Sequence, residues 1–241
     1  MIGQHDATNQ TDQQGDNDED EAFFAHVIGM RCFFPSRKNH YLLYVIVYTM
    51  PLPTDSNQPL VFIIVAITLD GFIAQATDQL STDWTSKGEI QNFTKLSKQA
   101  GVVVMGETSF ATIKPKYRPL KDRLNIVYSH QTKEELIDQW QLDPKKTGDD
   151  SFRVTSLPPA ELVAQLQAEG HQQIAISGGR SIYTQFMKSG VVDKLFLTVE
   201  PIIFGDGLKF LGESVMQSLQ LVDVERLNEE GSLVLEYDCL K

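Results

Sequence analysis

Cysteine is scarce in this chain: Cys32 and Cys239 are the only two in 241 residues, and they stand far apart. They offer no disulfide framework, no Cys-x-x-Cys pair and no zinc spacing, so a reducing cytoplasm is the expected compartment. Basic residues are outnumbered, 21 against 32 acidic, for a formal charge of -11. Phosphate neutralisation needs clustered Lys and Arg, and this balance argues against a nucleic-acid partner. Long apolar runs are missing as well. The most apolar stretch, Tyr41 to Met50, is about half of the roughly 20 residues that span a bilayer. The opening residues are polar and acidic, unlike the basic start of a secretory signal. His130 and His171 have no second ligand at metal spacing, so no metal site is expected.

What is present fits an ordinary soluble globular domain, with 41% apolar and 22% charged residues. Composition changes near residue 50. Residues 1–22 are too polar to bury a core, and residues 23–49 are apolar without a clean period. Residues 1–58 are therefore expected to be a disordered or accessory extension, with Met50 as an alternative start. Residues 59–241 form the expected folded domain.

From residue 60 the pattern is regular. The β-branched run Leu60 to Thr68 reads as a strand buried on both faces. A helix over 86–98 follows, with Ser86 as N-cap and Glu89 three residues on, the capping-box spacing. Strands are expected at 101–105, 123–129, 152–156, 172–177 and 193–201. Helices are expected to begin at Gly106, over 132–139, after Pro158 and over Ser181 to Ser189. Two alternating runs, 219–228 and 232–240, are joined by the turn residues Asn228 to Gly231. Strands alternating with helices imply an α/β protein with a mostly parallel central sheet, closed by an antiparallel hairpin.

Ligands in such sheets sit beyond the carboxyl ends of the strands. Two junctions lie there, "MGETS" (105–109) and "SGGRS" (177–181). Each points backbone N–H groups and hydroxyls at one spot, as an anion site needs; tight packing explains glycine there equally well. Neither matches GxGxxG or the P-loop. Glu89 and Phe93 share one helix face, and Trp84 precedes them. A carboxylate beside aromatic surface loses hydration and holds a proton near neutrality; the alternative is that Glu89 only caps its helix. Arg123 opens a strand, where it grips an anion or is simply exposed.

Taken together, "VAITLDGFIA" (65–74), Trp84 with Glu89 and Phe93, "VVVMGETSFATI" (102–113), "RPLKDRLNIVYSH" (118–130), "ISGGRSIY" (176–183) and "KLFLTVEPIIFGDG" (194–207) resemble the dihydrofolate reductase superfamily. That superfamily includes the reductase domain of the riboflavin-pathway deaminase-reductase. The resemblance runs from Leu60 to Lys241. It implies a dihydrofolate-reductase-like three-layer fold and NADPH as cofactor. Glu89 corresponds to the acid that binds the pterin and assists protonation of its imine nitrogen. Trp84, Ala66, Phe93, Ile113 and Thr198 correspond to pocket residues, and Arg123 to the arginine that holds the folate carboxylate. For the cofactor it implies Ala66, Ile73, Gly106, Thr108, Ser109, Ser129, His130, Ser177, Gly178, Gly179, Arg180, Ser181, Ile182 and Tyr183, with a cis bond between the two glycines.

Glu107 departs from the pattern: a basic residue usually follows this glycine and helps to bind the 2′-phosphate of NADPH. The expectation is that NADPH is still used, with weakened discrimination against NADH. The implied substrate is a pterin, dihydrofolate being slightly favoured, or the ribosylaminouracil phosphate of riboflavin synthesis. No deaminase zinc motif is present. A non-catalytic nucleotide-binding protein on the same scaffold is the reading from a different class. A homodimer is compatible with the resemblance.

Overall fold

A computed structural model describes residues 58–241. The expected N-terminal extension and the alternative start at Met50 lie outside the described residues. Ten strands and five α-helices alternate along the described chain. They are β1 (Leu60–Thr68), β2 (Phe72–Ala74), α1 (Lys87–Ala100), β3 (Val102–Gly106), α2 (Glu107–Ala111), β4 (Leu124–Tyr128) and α3 (Lys133–Trp140). After them come β5 (Phe152–Thr155), α4 (Pro159–Ala168), β6 (Gln173–Ile176), α5 (Arg180–Ser189), β7 (Lys194–Glu200), β8 (Leu208–Lys209), β9 (Leu219–Arg226) and β10 (Leu233–Cys239).

Eight strands form one sheet in the order β5-β4-β3-β6-β1-β7-β10-β9. The first six are parallel, and β10 runs antiparallel between β7 and β9. This is the expected sheet with its closing hairpin. Side chains alternate across it, which divides the core into two layers. Val61, Ile63, Val104, Ile126 and Ile176 pack with Leu162, Leu166 and Phe186 of α4 and α5. On the opposite face Phe62 and Ile64 pack with Ala100 of α1, and Val103 and Met105 with Phe110 and Leu136 of α2 and α3. Three layers result. β2 and β8, a two-stranded sheet absent from the sequence reading, are too short to carry a recognisable alternation.

Helix ends follow their local chemistry. Ser86 caps α1 by accepting from the Glu89 amide at 3.2 Å, and Gly101 ends it in the left-handed conformation that glycine tolerates. Gly190 ends α5 in the same way.

The feature that places the site is a strand that stops early. β1 pairs with β6 up to Ile63 opposite Ile176, then runs on to Thr68. The Val61 amide and carbonyl face Asp193 on the β7 side, so even-numbered residues of β1 turn their main chain toward β6. Beyond Ile176 there is no β6 left to meet them. The Tyr183 hydroxyl donates to the Ile64 carbonyl at 3.0 Å. Ala66, one step further, turns its N–H and C=O to the same open edge.

Candidate active site

Around that open edge the carboxyl ends of β1, β3, β6 and β7 converge. Ala66 and Thr198 are register partners on adjacent strands, and their side chains share the face covered by α1. Glu89, in the first turn of α1, is only 8% exposed. Burial raises its carboxyl to about 7; the nearby Thr85 hydroxyl favours the ionised form and the Glu200 charge opposes it. The Trp84 indole N–H is buried without a hydrogen-bond partner. The Trp84 ring stands edge-on to Phe204, their centroids 5.2 Å apart, which fixes it beside the entrance to α1. A buried acid near neutrality, with a hydroxyl beside it and an unpaired indole N–H at the start of its helix, is suited to a heteroaromatic ring that carries nitrogen and oxygen atoms.

The helix-cap alternative for Glu89 is only half realised. The Ser86 hydroxyl takes the Glu89 amide, but the Ser86 amide donates to Glu200 Oε1 at 2.8 Å. The Glu89 carboxylate takes no part in the cap.

The other expected residues fall into groups. Phe93 packs beside Phe62 and Ile64, and Ile113 beside Phe110 on the α2 side. Ile73 lies in β2, against the Val65 layer. Arg123 is buried and turned inward: it donates through Nη1 to the Ser97 hydroxyl and through Nε to the Lys121 carbonyl at 3.0 Å. It is therefore not the exposed arginine of the alternative reading. Ser97 lies eight residues beyond Glu89 on α1, so about 12 Å separates the acid from the guanidinium anchor along the helix.

The two glycine junctions touch. The Gly106 amide donates to the Gly178 carbonyl at 3.1 Å, and the Ser177 amide to Val104 at 2.8 Å. A Cβ on Gly178 would stand 2.9 Å from Ser109 Cβ and Oγ, and one on Gly179 2.9 Å from Oγ. Gly179 has φ +31° and caps α5, so the first-turn amides of Arg180, Ser181 and Ile182 open toward this contact. α2 is only five residues long; its hydroxyls are those of Thr108 and Ser109, next to the Glu107 carboxylate in its first turn. The expected cis Gly178–Gly179 bond is corrected. Among the described residues the cis peptide is Arg118–Pro119, and the glycines make their bend with positive φ instead.

Ser129 and His130 follow β4 and border a cavity of ≈ 620 Å³ that also meets Lys133, Arg153 and Glu169. Its cations are paired: Lys133 with Asp149 and Arg153 with Glu169, each at 2.6 Å. Glu107 accepts from Ser129 Oγ at 2.7 Å and from Gln131 Nε2 at 3.0 Å. Three residues of this region were not expected from sequence: Thr85, Gln131 and Glu200. For Glu200 a signal existed, since it follows Thr198 by two and so shares its face of β7. Among the described residues no group of His, Cys, Asp or Glu is placed to hold a metal ion, and no helix is long and apolar enough to cross a membrane.

A three-layer fold with a mostly parallel sheet and an antiparallel end pair, with two touching glycine junctions at the carboxyl edge, defines the dihydrofolate-reductase-like class. Within it, the chain belongs to the RibD C-terminal domain family, whose model matches residues 59–233. It is similar in structure to a putative riboflavin biosynthesis protein from Shewanella sp. PV-4. That match has TM-score 0.61 and 19% identity, over 76% of this chain and 99% of the other. A deaminase/reductase from Thermotoga maritima gives TM-score 0.59 and 15% identity, over 77% of this chain and 58% of the other. In sequence, dihydrofolate reductase from Sus scrofa is 35% identical over 97 residues, 40% of this chain and 47% of that protein. The bifunctional dihydrofolate reductase-thymidylate synthase of Plasmodium vinckei is 29% identical over 103 residues, 43% of this chain. The matched segment spans 52% of that relative's length.

Proposed function

We propose that this protein is a nicotinamide-dependent reductase of a pterin imine, with dihydrofolate as the favoured substrate. The observation that carries this reading is Glu89: a carboxyl raised to about 7 by burial, with the Thr85 hydroxyl beside it, the unpaired Trp84 indole N–H at the start of its helix, and no capping duty. At neutral pH a group of this kind is protonated in a large fraction of molecules and can deliver a proton to a ring nitrogen. Trp84 and Phe93 supply apolar walls that orient a planar ring and exclude water.

The residues present fit a nicotinamide dinucleotide. The unpaired main chain of Ala66 suits a carboxamide, and the first-turn amides of α5 with Ser109 and Thr108 suit a pyrophosphate. When bound, the reduced nicotinamide supplies hydride. Arg123, which meets α1 at Ser97 about 12 Å from Glu89, suits a substrate with an anionic tail. The segment around it is basic, with Lys114, Lys116, Arg118, Lys121 and Arg123 against a single acid, Asp122. On a chain with a net negative charge, such a local basic run attracts an anionic substrate to one end of the molecule.

A second reading, reduction of the ribosylaminouracil phosphate of riboflavin synthesis, is favoured by one observation. Asp70 of the "LDGFIA" segment accepts from the Gly205 amide at 2.7 Å and the Phe204 amide at 3.2 Å, which ties together the two loops most like that branch. The test is to mix the protein with NADPH and each candidate, and to follow loss of nicotinamide absorbance. Turnover of dihydrofolate is expected. Turnover of the uracil compound alone selects the second reading, and NADPH binding with no turnover selects a non-catalytic scaffold.

A further inference from the structure

The same chain contains two helices that begin with a hydroxyl residue and carry Glu three positions later, and they behave differently. At α3 the capping box closes: the Glu135 carboxylate accepts from the Thr132 amide at 2.7 Å, while the Thr132 hydroxyl accepts from the Glu135 amide at 3.2 Å. Glu135 is accordingly held below the usual carboxylate range by the Thr132 amide and hydroxyl. At α1 the hydroxyl half forms, but the carboxylate half is supplied by Glu200 from β7. Local sequence favours Glu89 on the Ser86 amide. A long-range partner has displaced it.

Glu200 is well placed to win this competition. It is 3% exposed, with Oε1 on the Ser86 amide and Oε2 accepting from the Ser232 hydroxyl. Ser232 is held in turn by the turn between β9 and β10. Its Oγ accepts from Asn228 Nδ2 at 2.8 Å, and Asn228 Oδ1 accepts from the Gly231 and Ser232 amides at 2.9 and 3.0 Å. That turn also abuts the start of α1, since a Cβ on Gly88 would stand 2.9 Å from Leu227 Cβ. The closing hairpin thus docks on the amino end of α1 and fixes Glu200 in place.

We propose that Glu200 is a positioning residue for Glu89: by occupying the Ser86 amide it releases the Glu89 carboxyl from helix capping and leaves it available to the substrate pocket. This rests on the reading of Glu89 as the proton donor. The ionisable groups that act on or respond to Glu89 are Glu200 from β7 and the Tyr183 phenol from α5. Glu200 therefore has two effects: it prevents the cap and, as a like charge, favours protonated Glu89.

Carboxyl-carbon NMR titration of the unliganded protein, with pH–rate profiles, separates these effects. Glu200→Gln keeps an acceptor for the Ser86 amide and removes the charge. The Glu89 midpoint should fall by about 0.5–1 pH unit, and turnover at neutral pH by about 2- to 6-fold with KM unchanged. Glu200→Ala opens the amide to Glu89. Its midpoint should then fall further, toward that of Glu135, with turnover lost nearly as in Glu89→Gln. Identical Glu89 midpoints in all three proteins would overturn the proposal. If the variants do not fold, the wild-type protein decides through the Ser86 amide resonance. It should keep its hydrogen-bonded position while Glu89 titrates, and an amide that follows the Glu89 midpoint would mean that Glu89 holds the cap. Titration needs no turnover, so the result stands even if neither candidate substrate is reduced.

Discussion

The Ser86 amide donates to Glu200 Oε1 at 2.8 Å, joining the start of α1 to the end of β7 across 114 residues of chain. In an ordinary capping box that hydrogen belongs to the glutamate three residues on. Its transfer to β7 converts Glu89 from a local helix cap into a buried acid with no part in the capping. Desolvation then acts on the acid without the amide that would have held it ionised.

Glu89→Gln should lower turnover by about 10²- to 10⁴-fold, the usual contribution of a positioned general acid. NADPH binding, followed by quenching of protein fluorescence, should change little, because the dinucleotide contacts proposed above lie on β1, α2 and α5. Retained turnover would return Glu89 to a structural role.

The pH dependence follows from the same group. With Glu89 at about 7 in the folded protein against 4.5 as the ordinary value, the native state holds a proton that the unfolded state has lost between those limits. Stability contributed by the protonated form is complete below the lower value and declines as pH rises toward 7. The whole effect is on the order of 3 kcal/mol at about 1.4 kcal/mol per pH unit. Thermal unfolding should therefore show a fall in Tm between pH 5 and 8 that Glu89→Gln removes. Turnover should decline above pH 7 as the proton is lost.

At the glycine junction, Gly178→Ala should place its methyl against Ser109 and cost about 1–3 kcal/mol by overpacking. Cofactor affinity should fall with it. Adding Ser109→Gly removes the clashing atoms and should restore part of the stability but not the affinity, if the Ser109 hydroxyl contacts the pyrophosphate. Calorimetric titration with NADPH alongside thermal unfolding distinguishes the two effects.

Glu107 offers a test of cofactor choice. Its carboxylate is held by Ser129 and Gln131, and the cations lining the adjoining cavity are already paired. A 2′-phosphate would meet a carboxylate and no free cation among Lys133 and Arg153, so preference for NADPH over NADH should be weak. Glu107→Arg should raise the ratio of kcat/KM for NADPH to that for NADH by about tenfold, the effect of about 1.4 kcal/mol. Equal efficiency with both cofactors that this substitution leaves unchanged would refute the assignment.

Much of this molecule was legible in one dimension. The β-branched runs at 60–68, 102–105 and 173–176 are each buried strands, because a parallel sheet covered on both faces demands continuous apolar sequence. The cap at Ser86 and the glycine stops at 101 and 190 were equally local. β2 and β8 were not legible, since two or three residues carry no period. The Gly178–Gly179 bend was legible as a turn, but its backbone geometry was not: Ser109 from another element occupies the space beside it.

The candidate site divides along the same line. Sequence by itself determined the alternation of strands and helices, the residue types at each junction, and an acid one turn into a helix after a tryptophan. Those features depend on contacts within a few residues. Tertiary structure decided the surroundings of the acid. Glu200 arrives from β7, held by Ser232 of the β9–β10 turn, to occupy the amide that Glu89 would otherwise take, and burial then raises its proton affinity. Arg123 likewise became an inward anchor only because Ser97 faces it across the fold. A hydrogen bond between residues far apart in the chain has no local pattern to announce it, and here such bonds determine the chemistry available to Glu89.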